Sequence, residues 1–461
     1  MGHGRSMTYS VSHSAPDTKL PPVEVREDFG KTLRQRVARS SHATWHYRSA
    51  QRDPVALLQA ADRRRLPSLL PIRYGRMLPS PADFLRGSAV VMALDLNSTP
   101  ISGLRVQVCG DAHLANFGGF ATPERRLIFD LNDFDETLLG PWEWDVKRLA
   151  SSIVVVGRTN GLGESQCHEA VLGAIGVYRE QIRDFGEMRF LDIWYTAIDA
   201  EEVVVRLSAP EIGDGLKREA HRKTNLGALD KFTEVAGDGY RITNDPPLMT
   251  HRTYPLPQRI HDVWALYRDS LSTDHRAILD RYRLVDMARK VVGVGSVGLR
   301  CFVALLLGSS DQDPLFLQIK EARASVLEMH GRRSAYANHG KRVACGQRIM
   351  QAASDLFLGW THCGAVDYYV RQLRDMKCHV PIELLNASDL AEYGALCARA
   401  LARAHACSGD PSQIGGYLGS GDAFDQAIVK FAVAYADQTE RDHAALVKAV
   451  RNGRINAIEG I

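Results

Sequence analysis

No C-x-x-C pair occurs among the eight cysteines, at positions 109, 167, 301, 345, 363, 378, 397 and 407. That spacing gives neither a zinc cluster nor a dithiol redox motif, and reduced, mostly buried thiols are expected. No apolar run approaches the roughly 20 residues of a bilayer-crossing helix, the longest being residues 301–307. The opening MGHGRSMTYSVSHS lacks the apolar centre of a secretory signal. These absences lead to the expectation of a cytoplasmic protein with no membrane partner. Neither charge is in excess: 57 lysines and arginines stand against 54 aspartates and glutamates, a formal net charge of +3. A dedicated nucleic-acid binder carries a far larger basic surplus, so no nucleic-acid partner is expected. Internal repeats and low-complexity blocks are also missing.

What remains is an ordinary globular composition, 45% apolar and 24% charged, over 461 residues. That length exceeds one common core and calls for several packed units. Residues 1–25 read as a polar arm, and residues 29–70 and 80–94 carry apolar positions at helical spacing. Arg63, Arg64 and Arg65 are expected on a solvated face. Short strands over 105–109 and 126–131, joined through Thr122-Pro123-Glu124, read as a hairpin. Helical spacing returns over 144–199. Strands are then expected over 291–294, 300–307 and 314–319, a helix over 338–355, and two further strands over 356–360 and 367–373. A helix over 390–405 follows, capped by Asn386 or Ser388.

Two strand ends concentrate the chemistry. The first runs into Cys109-Gly110-Asp111-Ala112-His113-Leu114-Ala115-Asn116, the second into Asn132-Asp133-Phe134-Asp135-Glu136. Taken singly, these acids and amides are ordinary turn and cap residues. Jointly they supply what phosphoryl transfer asks of a protein: a carboxylate to orient the attacking hydroxyl and hard oxygens to hold magnesium. A hydrolase with a metal-bound water would use a similar set. Farther on, Gly293-Val294-Gly295-Ser296-Val297-Gly298 is a G-x-G-x-x-G run, shared by dinucleotide-binding folds and kinases. A dinucleotide fingerprint must open a helix. The β-branched and apolar residues 299–307 read as a strand, which favours a loop covering phosphates. The next strand ends at Lys320.

These motifs resemble the protein-kinase-like phosphotransferases, especially the aminoglycoside and choline kinase branch. There H-G-D-x-H-x-x-N is followed by a strand ending in I-D-F/W. Cys109 stands where that branch has His, while Gly110, Asp111, His113 and Asn116 match. The resemblance implies Asp111 and His113 as catalytic residues and Asn116 and Asp133 as magnesium ligands, with Asp135 a further ligand. Asp133 is preferred because that branch has an Asp about twelve residues on, bracing the catalytic loop, and here that residue is Asp145. It further implies Gly293, Gly295, Ser296, Gly298 and Lys320 around the nucleotide, with adenine bound near residues 369–373. A kinase lysine pairs with a glutamate on the next helix. Residues 338–354 hold no acid, so Glu328, and after it Glu321, is the expected substitute.

Asp111 precedes Lys320, the reverse of the usual kinase order, so the resemblance implies circular permutation. The expected fold is α+β, a two-lobed protein-kinase-like architecture with an extra N-terminal helical segment. Its parts would be 1–104 packing on the C-lobe, 105–284 as the C-lobe, 285–377 as the sheet-bearing N-lobe, and 378–461 as helices completing the C-lobe. The chain also resembles a bacterial family, domain of unknown function 2252, over about residues 28–440. The matching runs are residues 71–77, 110–114, 132–136 and 373–377. The expectation is an ATP- and Mg-dependent phosphotransferase with an unidentified acceptor. Nucleotidyl transfer to protein, nonenzymatic nucleotide binding and dinucleotide-dependent oxidoreduction stay open. Arg73, Arg76 and Arg86 are equally readable as grips on an anionic substrate or as braces of the fold.

Overall fold

Ala387–Ala406 places small and apolar side chains on every turn, so neighbouring helices can approach it closely. Asn386 caps it, its Oδ1 accepting the Asp389 N–H at 2.9 Å. It packs on Trp142–Thr159, Glu164–Glu187 and their neighbours to form the main core of a mixed α+β protein, 52% helix and 17% strand. The computed structural model describes residues 19–45, 52–207, 218–219, 222–237, 239–251, 260–330, 333–373 and 376–461. Arg374 and Asp375 of the family-like run, and most of the expected N-terminal arm, lie outside them.

After residues 19–22, which are outside any helix or strand, the described chain enters its first helix. Val23–Leu33 lies against Pro411–Leu418 at glycine contacts. A Cβ on Gly30 would stand 2.0 Å from the Gln413 carbonyl oxygen, and one on Gly416 2.1 Å from that of Glu27. Arg52 then ties this N-terminal segment to the C-terminal helix Ala423–Arg451. Its guanidinium donates to Asp95 at 2.8 Å and to Asp442 at 2.6 Å, all three side chains being buried. The helix expected over 80–94 is two, Pro81–Gly87 and Ala89–Leu96, broken at Ser88. That expected over 144–199 is interrupted after Thr159 and again after Glu187.

Four short strands follow the N-terminal helices: β1 (Arg105–Val108), β2 (Phe117–Ala121), β3 (Leu127–Leu131) and β4 (Leu138–Pro141). The expected hairpin of 105–109 with 126–131 does not form. β1 pairs antiparallel with β4, and the partner of β3 is β2. β2 was hidden by Gly118 and Gly119, poor strand formers that are required here by close approach. A Cβ on Gly118 would meet the Cys378 carbonyl oxygen at 2.4 Å, and one on Gly119 its Sγ at 2.5 Å. β5 (Ile198–Asp199) extends the β2–β3 sheet, and β6 (Thr233–Ala236) with β7 (Gly239–Ile242) makes a separate hairpin.

The largest sheet joins β8 (Met249–Thr250), β9 (Arg283–Lys290), β10 (Cys301–Leu307), β11 (Pro314–Ala322), β12 (Gly359–Cys363) and β13 (Val366–Gln372) in the order β12-β13-β11-β10-β9-β8. All its pairings are antiparallel. β10 reads as one unbroken apolar run because both of its faces are covered. Phe302, Ala304 and Leu306 join one cluster with Val263 and Tyr267, and Val303, Leu305 and Leu307 join another with Leu229 and Phe232. The strand expected over 291–294 lies earlier, at β9, and those residues start the connection to β10 instead. The helix His339–Met350, shorter than expected, is capped by Asn338 and packs on β12 and β13.

Candidate functional site

Gly110 starts the first acidic loop with φ +83°, and a Cβ there would stand 2.4 Å from the Glu136 carbonyl oxygen. Left-handed backbone and the close backbone of Glu136 both demand glycine. The loop is held from beneath by the first turns of the helix Trp142–Thr159. Asp145, 1% exposed, accepts the N–H groups of Cys109 at 2.6 Å and Gly110 at 2.9 Å. Its Oδ2 also lies 3.3 Å from the His405 Nε2, whose ring in turn meets the Tyr178 hydroxyl at 2.8 Å. One turn farther on, Arg148 donates from Nε to the Asp111 Oδ1 at 2.8 Å and from Nη2 to the Leu85 carbonyl at 2.7 Å. Sequence reasoning missed Arg148. The signal was its position three residues after Asp145 on a helix, which puts both side chains on one face.

Asn116 does more bracing than its expected ligand role implied. Its Nδ2 donates to the carbonyls of Asp111 at 3.1 Å and Asp133 at 3.0 Å, and its Oδ1 accepts the Asp133 N–H at 2.7 Å. The amide therefore clamps the two acidic loops together, and only its second oxygen lone pair is left for a cation. The His113 Nε2 stands 3.7 Å from the Asp111 Oδ2, while its Nδ1 is buried without a partner. Burial, aided by the charges of Arg148 and Arg86, lowers His113 to about 4 against the pull of Asp111, so the ring is neutral at pH 7.

Lys320, at 2% exposure the least exposed side chain of the acid–lysine cluster, reaches across from β11. Its Nζ lies 2.5 Å from the Asp135 Oδ2 and 3.4 Å from the Asp133 Oδ2. Burial works against its charge, but the two carboxylates outweigh it and hold the ammonium well above its ordinary range. Asp133 is likewise disfavoured by desolvation, yet Lys320 and Arg371 bring it below the usual carboxylate range. Asp135 moves the other way, raised by desolvation and by the Asp133 charge. Burial raises the adjoining Glu136 to about 7, the Val326 N–H at 2.7 Å offsetting part of it.

Neither expected glutamate reaches Lys320. Glu328 accepts the Ser325 and Ser334 N–H groups and stands 4.0 Å from Arg342, while Glu321 pairs with Arg300 and Arg323. The reason lies on the acid-free helix His339–Met350. Its Arg342 donates to the carbonyls of Asp135 and Arg323 at 2.7 Å and of Thr137 at 2.5 Å. The helix holds the second acidic loop by its backbone, and the lysine takes its counter-ions from the loop itself.

The glycine run connects β9 to β10, with a single 3-10 turn at Val294–Ser296. Gly293, Gly295 and Ser296 line a cleft of about 990 Å³, counting its open mouth, together with Asp111, His113, Asn116, Asp133, Asp135 and Lys320. Gly298, φ +89°, is not among its lining residues but backs onto Arg65. The chain leaves Gly298 as a strand, with no helix N-terminus for a pyrophosphate, which removes the dinucleotide reading. Arg73 donates to the Val294 carbonyl at 2.6 Å, Arg65 to that of Val297 at 2.7 Å, and Arg76 to that of Val292. Arg73 and Arg76 are thus braces. Arg65, expected in solvent, is 12% exposed and pairs with Asp62 at 2.7 Å.

Among the described residues no group of three or more His, Cys, Asp or Glu is arranged to hold a metal by itself. Magnesium on a nucleotide needs less, one or two carboxylates with phosphate and water completing its shell. The buried Oδ1 atoms of Asp133 and Asp135 have no partner, which fits that requirement.

Fold and site together define an α+β protein whose cleft joins two acidic loops, a lysine strand and a glycine loop. Residues 64–449 match the family described as uncharacterized protein conserved in bacteria (DUF2252), and the chain belongs to it. No curated protein and no solved structure matches the chain. Among the described residues no helix is long and apolar enough to cross a membrane.

Proposed function

We propose that the protein is an ATP- and Mg-dependent phosphotransferase, a circularly permuted relative of the protein-kinase-like enzymes, acting on a hydroxyl-bearing acceptor. The observation that carries this is the contact of Lys320 with Asp135 and Asp133, at 2.5 and 3.4 Å, beside the glycine loop in one cleft. A cation and a carboxylate pair contributed by distant segments are the groups that a metal-bound triphosphate would need on its two sides. The element order from β9 to β13 lends support: glycine loop, lysine strand, helix, then two strands, as in the lobe that binds nucleotide in kinases.

In this reading the loop at residues 293–298 covers the phosphates and Lys320 grips them. Asp133 and Asp135 would hold magnesium, with Asn116 able to add one lone pair; the ion supplies charge neutralisation on the phosphates. Asp111, oriented by Arg148, takes the acceptor hydroxyl. The bond between the γ-phosphorus and its bridging oxygen breaks, the acceptor oxygen bonds to phosphorus, ADP leaves, and the acceptor proton passes to the Asp111 carboxylate. Nucleotidyl transfer uses the same parts and is told apart by the mass gained by the acceptor. Nonenzymatic nucleotide binding is favoured by one observation: Asp111 is already engaged by Arg148. Crystals soaked with a nonhydrolysable ATP analogue and magnesium test the reading. Density for triphosphate between Lys320 and Asp133 is expected, and an empty cleft beside measured failure to bind ATP in solution would overturn it.

A further inference from the structure

Five cationic side chains line the cleft among the described residues: Arg65, Arg73, Arg86, Lys320 and Arg371. Four are committed at close range. Arg65 and Arg73 hold glycine-loop carbonyls, Lys320 holds Asp135, and Arg371 donates to the Asn132 carbonyl at 2.9 Å and to Gln318 at 3.0 Å. Arg86 differs. The ion pair it makes is to Asp83, at 3.7 Å and one turn away on its own helix, with its side chain 39% exposed. An exposed pair at that spacing fixes a guanidinium weakly.

Its location is more telling than its freedom. Arg86 sits in the last turn of Pro81–Gly87, the helix directly under the glycine loop, and its carbonyl oxygen would be 3.7 Å from a Cβ on Gly295. Its charge also acts on His113, beside Asp111. The side chain thus lines the same cleft as the loop proposed to cover phosphate and the carboxylate proposed to take the acceptor, and borders the gap between them. In a phosphotransferase this gap holds the group being transferred. Negative charge on that group shifts among its oxygens in the transition state, and a planar guanidinium supplied in cis matches them two at a time.

We propose that Arg86 is the residue that grips the terminal phosphate of the bound nucleotide and stabilises it during transfer. The proposal rests on the phosphotransferase reading. Arg86 contributes charge and hydrogen bonds only; bonds form and break as already described.

The test compares two probes, Mg·ADP and the Mg complex of a nonhydrolysable ATP analogue, by calorimetric titration of the full chain. Wild type is expected to bind both. Arg86→Ala should weaken the analogue about tenfold or more and leave ADP within about twofold, since a charge-assisted contact contributes roughly 1.5–3 kcal/mol. Arg86→Lys should fall between them. Lys320→Ala, by contrast, should weaken both. Because Arg86 is half-exposed and weakly paired, both variants should melt like wild type. Equal losses for the two probes, or none, would overturn the assignment while leaving the nucleotide site intact. Failure of wild type to bind either probe would remove the phosphotransferase reading, and this proposal with it.

Discussion

The Lys320 ammonium lies 2.5 Å from the Asp135 carboxylate although the lysine stands on β11 and the acid in the turn between β3 and β4. The contact gives the lysine its charge partner and occupies an oxygen of Asp135, a metal ligand in the proposed phosphotransferase. On that proposal lysine and metal compete for Asp135 until phosphate arrives to take the lysine. Lys320→Met should tighten Mg²⁺ or Mn²⁺ binding in the absence of nucleotide by severalfold, while weakening nucleotide about 10- to 100-fold, the worth of a charge-assisted hydrogen bond. Metal titration followed by melting temperature, beside nucleotide titration, reads both. Weaker metal binding in the variant would sink the competition.

The Asp111 carboxylate takes its hydrogen bond from Arg148, on the helix beneath its loop. Replacing the carboxylate with an isosteric amide keeps the shape and removes the proton acceptor. Asp111→Asn should retain nucleotide affinity within a factor of about two and lose roughly 100- to 10,000-fold in turnover, the usual worth of a positioned general base. Full activity in this variant would refute the assigned role. Arg148→Gln should act through Asp111, lowering turnover less and shifting the pH profile of the residual rate.

Much of this site was legible because it is local. Asp111, Asn116, Asp133 and Asp135 sit at strand ends within one stretch, and the strand after Gly298 followed from its β-branched and apolar residues. What the sequence hid is set by tertiary contact. β2 carries two glycines because Cys378, some 260 residues away by number (378 − 118 = 260), packs on them. Glu328 and Glu321, the expected partners of Lys320, pair elsewhere, and the acid-free helix holds the acidic loop through the Arg342 guanidinium and backbone carbonyls. Arg65 looked solvated in an arginine run, yet it faces a glycine-loop carbonyl supplied by a distant segment. Local spacing carries helix faces and strand ends; it carries no information about which backbone will need a donor.

Asp145 satisfies two buried N–H groups at the start of the loop that carries Asp111. Removing it leaves both without an acceptor, at about 1–3 kcal/mol each when buried. Asp145→Ala should lose about 2–4 kcal/mol of stability in urea denaturation and lower turnover as well, since the loop it positions carries Asp111. A loss below about 0.5 kcal/mol, the range of an ordinary surface substitution, would show that the loop holds itself.

Two acids raised by burial, Glu136 of the cleft lining and Asp130 outside it, give the protein a pH dependence of defined sign. Asp130, 2% exposed, is raised to about 6 by burial, and Glu136 to about 7 for the same reason. In the unfolded chain they titrate near 3.8 and 4.5. Between those values and the folded ones the native protein holds protons that the unfolded chain has released. Stability should therefore fall as pH rises through that window, with a slope approaching about 1.4 kcal/mol per pH unit for each group inside it. Below about pH 4 neither group contributes a slope, and above about pH 7 the loss is complete. Carboxylates held low in the folded state, Asp133 among them, contribute the opposite slope, so the comparison must be between variants. Asp130→Asn should flatten the profile from about pH 4 to 6 and Glu136→Gln from about pH 4.5 to 7, each relative to wild type. Parallel profiles for all three proteins, measured by urea denaturation at half-unit steps, would mean that both carboxyls are solvated well enough to ionise normally.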